Sequence, residues 1–187
     1  MGLNNSKLYV ENIATLMKET GFTEDELNKL RLRFSQLDIG KKDFLVRADF
    51  LRIKELTINP LGDRIVHLLF NYAKSDMMHF KQFAKILAIF RPIDRNTTEK
   101  SVNGKKRKIE FIFRLFDLDG DTIITTNEVA NILQMVMGNQ LTINQVKYIS
   151  ENMMFQDAET SDKVFNFHKF YDIMASSFTE DELSIHF

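Results

Sequence analysis

Twelve consecutive residues, from Asp117 to Glu128, restrict the possible folds more than any other segment of the chain. Acidic side chains occupy the first, third, fifth and last positions of this segment. Apolar residues at helical spacing lead up to Phe116 and start again at Val129, so a helix is expected on each side. The carboxylates can converge on one hard cation only if the chain between the helices turns tightly. The segment therefore predicts a helix–loop–helix unit.

The spacing of the oxygen donors in this segment matches an EF-hand calcium loop. Carboxylates at positions one, three and five point inward, position seven offers its backbone carbonyl, and position nine acts directly or through water. A glutamate at position twelve can supply both of its oxygens, which favours calcium over the smaller magnesium ion. The predicted ligands of this one calcium site are Asp117, Asp119, Asp121, Ile123, Thr125 and Glu128.

Position six of the loop departs from the pattern. This position normally holds glycine, because the sharp turn requires a positive φ, whereas the chain has Thr122 there. A β-branched residue disfavours that backbone region. We therefore expect roughly 1–2 kcal/mol of strain at Thr122.

Composition favours helices along the rest of the chain. The chain has only 7 Gly and 2 Pro, against 17 Phe and 9 Met. Apolar stripes recur at helical spacing, and two helix starts carry capping boxes, Thr23 to Glu26 and Thr142 to Gln145. We predict an all-α fold with four EF-hand helix–loop–helix units in two lobes.

Composition also argues against several classes of function. The chain has no Cys, which excludes cysteine catalysis and thiolate zinc sites and fits a reducing compartment. Its formal net charge of -1 provides no general attraction to nucleic acid. Because the sequence also lacks a glycine-rich phosphate loop and a His-Glu-x-x-His motif, we expect no enzymatic activity. No apolar run approaches the roughly 20 residues of a transmembrane helix.

Two loops before the predicted calcium site share its layout but lack its ligands. In the first loop, residues 38–49, Lys42 replaces the ligand at position five. In the second loop, residues 71–82, positions one, three, five and twelve carry no carboxylate. We predict that both loops are structural, because paired EF-hands share a short β-contact and a core.

The fourth loop also lacks a complete ligand set. One register places Phe165 at position eight, which puts Ala158 at position one and Lys169 at position twelve. A register one residue earlier starts at Asp157 but ends at His168. Neither register binds calcium convincingly, so this loop is also expected to be structural.

The loop positions divide the chain into five segments. These are a myristoylated N-terminal segment (1–20), an N-terminal lobe with two degenerate loops (21–93), a linker (94–108), a C-terminal lobe with one intact and one degenerate loop (109–178), and a C-terminal tail (179–187). The linker ends in four adjacent cations, residues 105–108. We interpret them as part of a solvated linker, although such a cluster also suits acidic lipid, a nuclear import receptor or a protein partner.

The first six residues match the N-myristoylation pattern. Gly2 becomes the free amine once Met1 is removed, and Ser6 occupies the favoured hydroxyl position. One myristoyl chain gives only reversible membrane attachment, with an association constant on the order of 10⁴ M⁻¹. We therefore expect peripheral membrane contact reinforced by a partner, and a location in the cytoplasm and at the cytoplasmic face of the plasma membrane.

Five segments spread over nearly the whole chain resemble those of the calcineurin B homologous proteins. The segments are KETGF at 18–22, INPLGDRI at 58–65, FRPI at 90–93, FRLFDLD at 113–119 and SIHF at 184–187. This resemblance implies a subunit that holds a juxtamembrane cytoplasmic helix of a sodium/proton exchanger in a hydrophobic groove. It also implies a role in the exchanger's stability, surface delivery and pH response. The family tolerates non-glycine residues at position six of the third loop, but the relatives keep ligands in the fourth loop.

Two alternative functions fit parts of the same pattern. Calcineurin B, the regulatory subunit of the calcineurin phosphatase, also has an N-terminal glycine and four hands, but most of its loops are intact. Members of the homologous branch can also inhibit the phosphatase, so the calcineurin catalytic subunit is a possible partner. A calcium-myristoyl sensor or buffer is the weaker alternative, because one site provides little capacity.

Overall fold

The computed structural model describes residues 13–95, 97–154 and 164–177, together with residues 179, 182, 184 and 185. These residues are mostly helical, so the prediction of an all-α fold built from EF-hand units is confirmed. The predicted lipidation site, Gly2, lies outside the described residues. Among the helices within these ranges, none is both long enough and apolar enough to cross a membrane.

Short loops separate the helices in both halves of the chain. The N-terminal half comprises α1 (13–20), α2 (Glu24–Leu37), α3 (Arg47–Phe50), α4 (Lys54–Thr57), α5 (Gly62–Ala73), α6 (Phe80–Leu87) and the 3₁₀ turn Ala88–Phe90. The C-terminal half comprises α7 (Lys105–Phe116), β1 (Ile123–Thr125), α8 (Thr126–Met137), the 3₁₀ turn Gly138–Gln140, α9 (Ile143–Met154), β2 (Val164–Asn166) and α10 (Phe167–Ser177).

Both predicted capping boxes form at helix starts. The backbone N–H of Thr23 donates to the Glu26 carboxylate at 2.7 Å, and the N–H of Glu26 donates back to the Thr23 hydroxyl at 3.2 Å. The same reciprocal pair joins Thr142 and Gln145 at 2.9 and 3.3 Å. These bonds satisfy amide donors that the first turn of a helix leaves free, so α2 and α9 begin where the sequence predicts.

In each half, the two loops pair with each other through their eighth positions. In the N-terminal half, Leu45 pairs with Met78 in an isolated antiparallel bridge. In the C-terminal half, β1 pairs with β2 so that Ile124 lies opposite Phe165. This pairing places Phe165 at position eight and Lys169 at position twelve, which selects one of the two registers left open by the sequence.

The larger hydrophobic core belongs to the N-terminal half but extends into the C-terminal half. It contains buried residues of α1, α2, α5 and α6, and it also includes Phe111 of α7. The Phe111 ring stacks on Tyr72 at 5.5 Å and meets the Phe90 ring edge-on at 4.8 Å. A smaller core around Phe113 and Ile124 fills the C-terminal half. Helix α7 is therefore shared between the two predicted lobes.

The structure corrects the predicted linker at its C-terminal end. Helix α7 starts at Lys105, so residues 105–108 form its first turn and are not part of a solvated linker. The Lys105 ammonium donates to the backbone carbonyl of Ala175 at the end of α10, at 2.8 Å. Lys108 is buried and donates to the Arg91 carbonyl at 2.7 Å and to the Ser184 hydroxyl at 2.6 Å. The run of adjacent cations does not indicate a solvated linker here, because Lys105 and Lys108 bond to groups elsewhere in the protein.

Candidate calcium centre

Three of the predicted ligands converge at the junction of α7 and α8. The carboxylate oxygens of Asp117, Asp119 and Glu128 lie within 4.8 Å of one another. Asp117 and Glu128 are buried, whereas Asp119 is exposed, so the group opens to solvent on one side. In the part of the chain that the structure describes, no other three His, Asp or Glu side chains meet in this way.

Glu128 closes the loop by bonding to both of its ends. One carboxylate oxygen accepts from the backbone N–H of Leu118 at 2.7 Å, near the loop start. The other accepts from the N–H and the hydroxyl of Thr125, at 2.8 and 2.9 Å, near the loop end. The Glu128 N–H in turn donates to the Thr125 hydroxyl at 3.3 Å, which completes a capping box at the start of α8. The side chain is thereby fixed over the loop.

Backbone amides orient the aspartates of the loop. Asp117 accepts from the N–H groups of Gly120 at 2.8 Å and Thr122 at 3.3 Å. Asp119 accepts from the N–H of Asp121 at 3.1 Å, and Asp121 accepts from the N–H of Ile123 at 2.8 Å. Such short-range bonds are typical of Asp in turns, and they hold the carboxylates without using all of their lone pairs.

Burial and like charge make the loop favour a cation. Burial is the main cause that raises the pKa of Asp117, and the negative charges of Glu128 and Asp121 raise it further. The hydrogen bonds from Gly120 and Thr122 act in the opposite direction. A carboxylate that is costly to ionise alone gains from a divalent cation, which neutralises several charges at once.

The donor set fits calcium. The converging atoms are carboxylate oxygens, which are the ligands that hard cations prefer. Asp121 lies outside the group of three, the Ile123 carbonyl belongs to β1, and the Thr125 hydroxyl bonds to Glu128. The structure thus brings together three of the six predicted ligands and keeps the other three in the same loop. When bound, calcium would supply the charge that offsets the clustered carboxylates.

Position six adopts the backbone that the loop pattern requires. Thr122 has φ of +73°, in the left-handed region. Asp43, which occupies position six of the first loop, has φ of +62°. The sequence-based expectation of a positive φ at Thr122 is therefore confirmed.

In the first loop, a lysine ammonium takes the place of a metal ion. The Lys42 ammonium lies 2.9 Å from a carboxylate oxygen of Asp49, which occupies position twelve and has only 4% of its side chain exposed. The same oxygen accepts from the N–H of Val46 at 2.9 Å, and Arg52 approaches the other oxygen at 3.3 Å. At position one, Asp38 accepts from the N–H groups of Lys42 and Asp43 at 3.0 and 2.7 Å. Protein donors thus satisfy the acidic groups of this loop.

The second loop is closed by an amide. The Gln82 side chain, at position twelve, accepts from the His79 N–H at 2.8 Å and donates to the Ala73 carbonyl at 2.8 Å. A neutral side chain that both donates and accepts can bridge the two ends of a loop without a metal. This contact explains how the loop keeps its shape although it carries no acidic ligand.

Arg64 of α5 contacts the calcium loop, a feature that sequence reasoning missed. Its guanidinium donates to the backbone carbonyls of Leu115 at 3.2 Å and Arg114 at 2.8 Å, and also to that of Asp117. These carbonyls lie at the end of α7 and at the first loop position. Their sequence separation from Arg64 is 50 to 53 residues, so no local pattern could indicate the contact.

Comparison with known proteins places the chain in a family. A calcineurin B protein of Naegleria gruberi is 31% identical over 185 residues, which cover 99% of each chain. A type 2 calcineurin B protein of Dictyostelium discoideum is 31% identical over 189 residues, which cover 100% of this chain and 98% of that protein. The chain belongs to the calcineurin B family. Within it, calcineurin B homologous protein 3 of Gallus gallus is 34% identical over 154 residues, covering 76% of this chain and 72% of that protein.

Two further comparisons concern family models and solved structures. No family model matches the chain. A chain of a solved PP2A PR70 holoenzyme matches this calcineurin B family protein with a TM-score of 0.53 and 18% identity, covering 80% of this protein. The match spans 54% of the holoenzyme chain, and at this identity it shows a shared fold alone.

Proposed function

We propose that this protein is a calcium-binding regulatory subunit that holds an amphipathic helix of a larger partner. The names of its relatives support a role as a subunit, since two of them are named as subunits of calcineurin. The carboxylate group in the third loop supports calcium binding at one site. The observation that best supports helix binding is the apolar surface of the C-terminal half.

Helices α8, α9 and α10 expose large apolar side chains. The most exposed are Ile143 and Tyr148 of α9, at 80% and 70%. Met135, Val136, Met153 and Ile173 are also exposed. We call these six residues the C-terminal apolar surface. EF-hand proteins bind amphipathic helices through such residues, and methionine adapts to irregular targets. All of these residues except Ile173 lie on α8 and α9, which pack against each other, and exposed apolar groups on neighbouring helices are typical of an interaction surface.

The proposed partner is a juxtamembrane cytoplasmic helix of a plasma-membrane sodium/proton exchanger. The resemblance to calcineurin B homologous proteins supports this choice, and one of them matches at 34% identity. In this role the protein supports the stability, trafficking and pH-dependent activity of the exchanger. Myristoylation of Gly2 adds a peripheral membrane contact, which places the complex at the cytoplasmic face of the plasma membrane.

The calcineurin phosphatase is the second candidate partner. The calcineurin B relatives align with nearly the whole of this chain, which supports binding to, or inhibition of, a phosphatase catalytic subunit. We propose the same physical mode for both candidates, in which an apolar helix face packs on the C-terminal apolar surface. The identity of the helix therefore distinguishes them.

Titration with two synthetic peptides separates the two candidates. One peptide is the juxtamembrane helix of a sodium/proton exchanger, and the other is an amphipathic segment of the calcineurin catalytic chain. Tighter binding of the exchanger peptide supports the first candidate, whereas tighter binding of the phosphatase peptide supports the second. If neither peptide binds in calcium, the proposal of helix binding is wrong.

Variants of the apolar surface test where the helix binds. Ile143→Asp and Tyr148→Asp should each weaken binding of the preferred peptide about tenfold, because truncating an interface anchor commonly costs more than 1 kcal/mol. Ile58→Asp is the matched control, because Ile58 is 71% exposed but lies in the N-terminal half. Equal losses in all three variants would place the binding surface elsewhere.

A further inference from the structure

Arg64 links the two halves of the molecule at the calcium loop. It lies on α5, which belongs to the second hand, yet its guanidinium donates to carbonyls of Arg114, Leu115 and Asp117 in the third hand. The carbonyls at the C-terminal end of a helix have no intrahelical partners. Arg64 therefore caps α7 at the point where the calcium loop begins.

The charge of Arg64 also acts on the calcium ligands. Burial lowers the pKa of its guanidinium, while the negative charges of Asp117 and Glu128 act in the opposite direction. An arginine remains protonated despite such a shift. The two carboxylates that it influences are the two buried members of the group of three. Arg64 thus provides a fixed positive charge beside the site in which calcium would bind.

This charge has opposite effects on the calcium-free and calcium-bound loops. Without an ion, the guanidinium offsets part of the repulsion among the clustered carboxylates. With calcium present, part of the carboxylate charge is already offset, and the guanidinium repels the divalent ion. The contact consequently stabilises the calcium-free form more than the calcium-bound form.

We propose that Arg64 is a tethered counter-ion that lowers the calcium affinity of the third loop and couples calcium binding to the contact between α5 and α7. The inference rests on the proposed calcium site at Asp117, Asp119 and Glu128. Coupling of this kind is reciprocal, so calcium must weaken the Arg64 contact by the same factor by which Arg64 weakens calcium binding. The N-terminal half, whose own loops are closed by Lys42 and Gln82, takes part in calcium binding through this residue.

Calorimetric titration of the full-length chain with calcium tests the inference. Arg64→Gln removes the charge but keeps a hydrogen-bond donor, and it should tighten calcium binding about tenfold, within the usual range of such couplings. Arg64→Lys keeps the charge and should leave the affinity within about twofold of the wild type. Arg31→Gln is the charge-matched control, because Arg31 pairs with Asp43 in the first loop, and it should change nothing.

Ionic strength and thermal unfolding supply a second readout. The tightening by Arg64→Gln should shrink in high salt, since screening weakens the charge effect. The rise in melting temperature caused by calcium should be larger in Arg64→Gln than in the wild type, because stabilisation by a ligand grows with its affinity. Arg64→Met repeats the measurement if the glutamine variant does not fold.

Two outcomes overturn the inference in distinguishable ways. If the wild type binds calcium and the neutral variants bind it equally or more weakly, Arg64 only positions the loop and the counter-ion role is wrong. If the wild type does not bind calcium, the proposed site itself is wrong and the inference is rejected together with it.

Discussion

Thr122 holds a left-handed backbone conformation in the loop that carries the calcium ligands. Its φ of +73° disfavours any side chain with a Cβ, and a β-branched one most of all. The nearby Gly120 adopts a similar φ of +79°, where a glycine has no such penalty. Two nearby positions with similar φ but different residues allow the strain to be measured.

Replacing Thr122 with glycine should stabilise the calcium-free protein. We expect Thr122→Gly to raise the free energy of unfolding by about 1 kcal/mol, since relief of left-handed strain exceeds the added entropy of the unfolded chain. Gly120→Ala is the matched control. A Cβ there meets nothing within 4 Å, so its expected loss of about 1 kcal/mol reports backbone strain less the unfolded-chain entropy, with no steric clash. Urea denaturation measures both variants, and destabilisation by Thr122→Gly would contradict the strain argument.

Lys42 takes the place of a bound metal ion in the first loop. Its ammonium bonds to the buried carboxylate of Asp49, and hydrogen bonds to charged groups commonly contribute about 1.5–3 kcal/mol. We expect Lys42→Met to lower the free energy of unfolding by about 2 kcal/mol in chemical denaturation. In an Asp49→Asn background the same substitution should cost less than about 0.5 kcal/mol, because the charged partner is absent. Equal costs in both backgrounds would show that the ion pair contributes nothing.

Acid should remove the benefit of this ion pair. Burial acts to raise the pKa of Asp49, but the Val46 N–H and the Lys42 ammonium outweigh burial and hold the pKa below its ordinary value. A carboxyl with a lowered folded pKa adds stability that is complete above its unfolded pKa and is lost as pH falls through its folded pKa. The difference in unfolding free energy between wild type and Lys42→Met should be constant above about pH 5 and shrink below about pH 4. A difference that grows on acidification would contradict this assignment.

At the scale of elements, the close approach of α4 and α5 depends on glycine. A Cβ added to Gly62 would lie 1.8 Å from the backbone carbonyl oxygen of Leu56, so α4 would have to move. We expect Gly62→Ala to cost about 3 kcal/mol, at the upper end of overpacking penalties. Gly40→Ala is the control, because the nearest atoms to its Cβ would belong to a side chain, that of Lys42 at 3.3 Å, and not to the backbone. The two variants are compared by their midpoints in urea, and equal midpoints would show that α4 yields without cost.

Local chemistry is enough to predict several elements from the sequence. The capping boxes mark the starts of α2 and α9, and the apolar residues at position eight of each loop form the observed pairings. Each of these signals lies within a few residues of the feature that it predicts. The predicted end of the linker at Lys108 is wrong, because α7 starts at Lys105. A cation run indicates exposure only when no partner lies nearby, and Ala175, the partner of Lys105, is distant in sequence.

The candidate site, too, could be predicted only where its signal is local in the sequence. The spacing of acidic residues indicates the loop, and three of its carboxylates do converge. Arg64 could not be predicted, because its partners are backbone carbonyls about 50 residues away and a carbonyl leaves no signature in a sequence. The closure of the first loop by Lys42 could be predicted only in part: the sequence shows the lost ligand, but it does not show the ion pair with Asp49.

At the scale of the whole molecule, the two halves divide the tasks. The N-terminal half has the larger core, and its loops are closed by protein side chains. The C-terminal half has the smaller core, the carboxylate group and the C-terminal apolar surface. Phe111 and Arg64 join the halves through α7. We infer that the N-terminal half supports the C-terminal half, which binds the ion and the helix, and that it influences ion binding through Arg64.

The number of calcium ions bound per chain tests this division most directly. Calorimetric titration of the full-length wild type should give one site, since the first and second loops are closed internally and the fourth has Lys169 at position twelve. Glu128→Gln should weaken that site on the order of 100-fold, because it removes the charge of the residue that closes the loop. A stoichiometry of two or more tight sites, or tight binding that survives Glu128→Gln, would contradict the proposal.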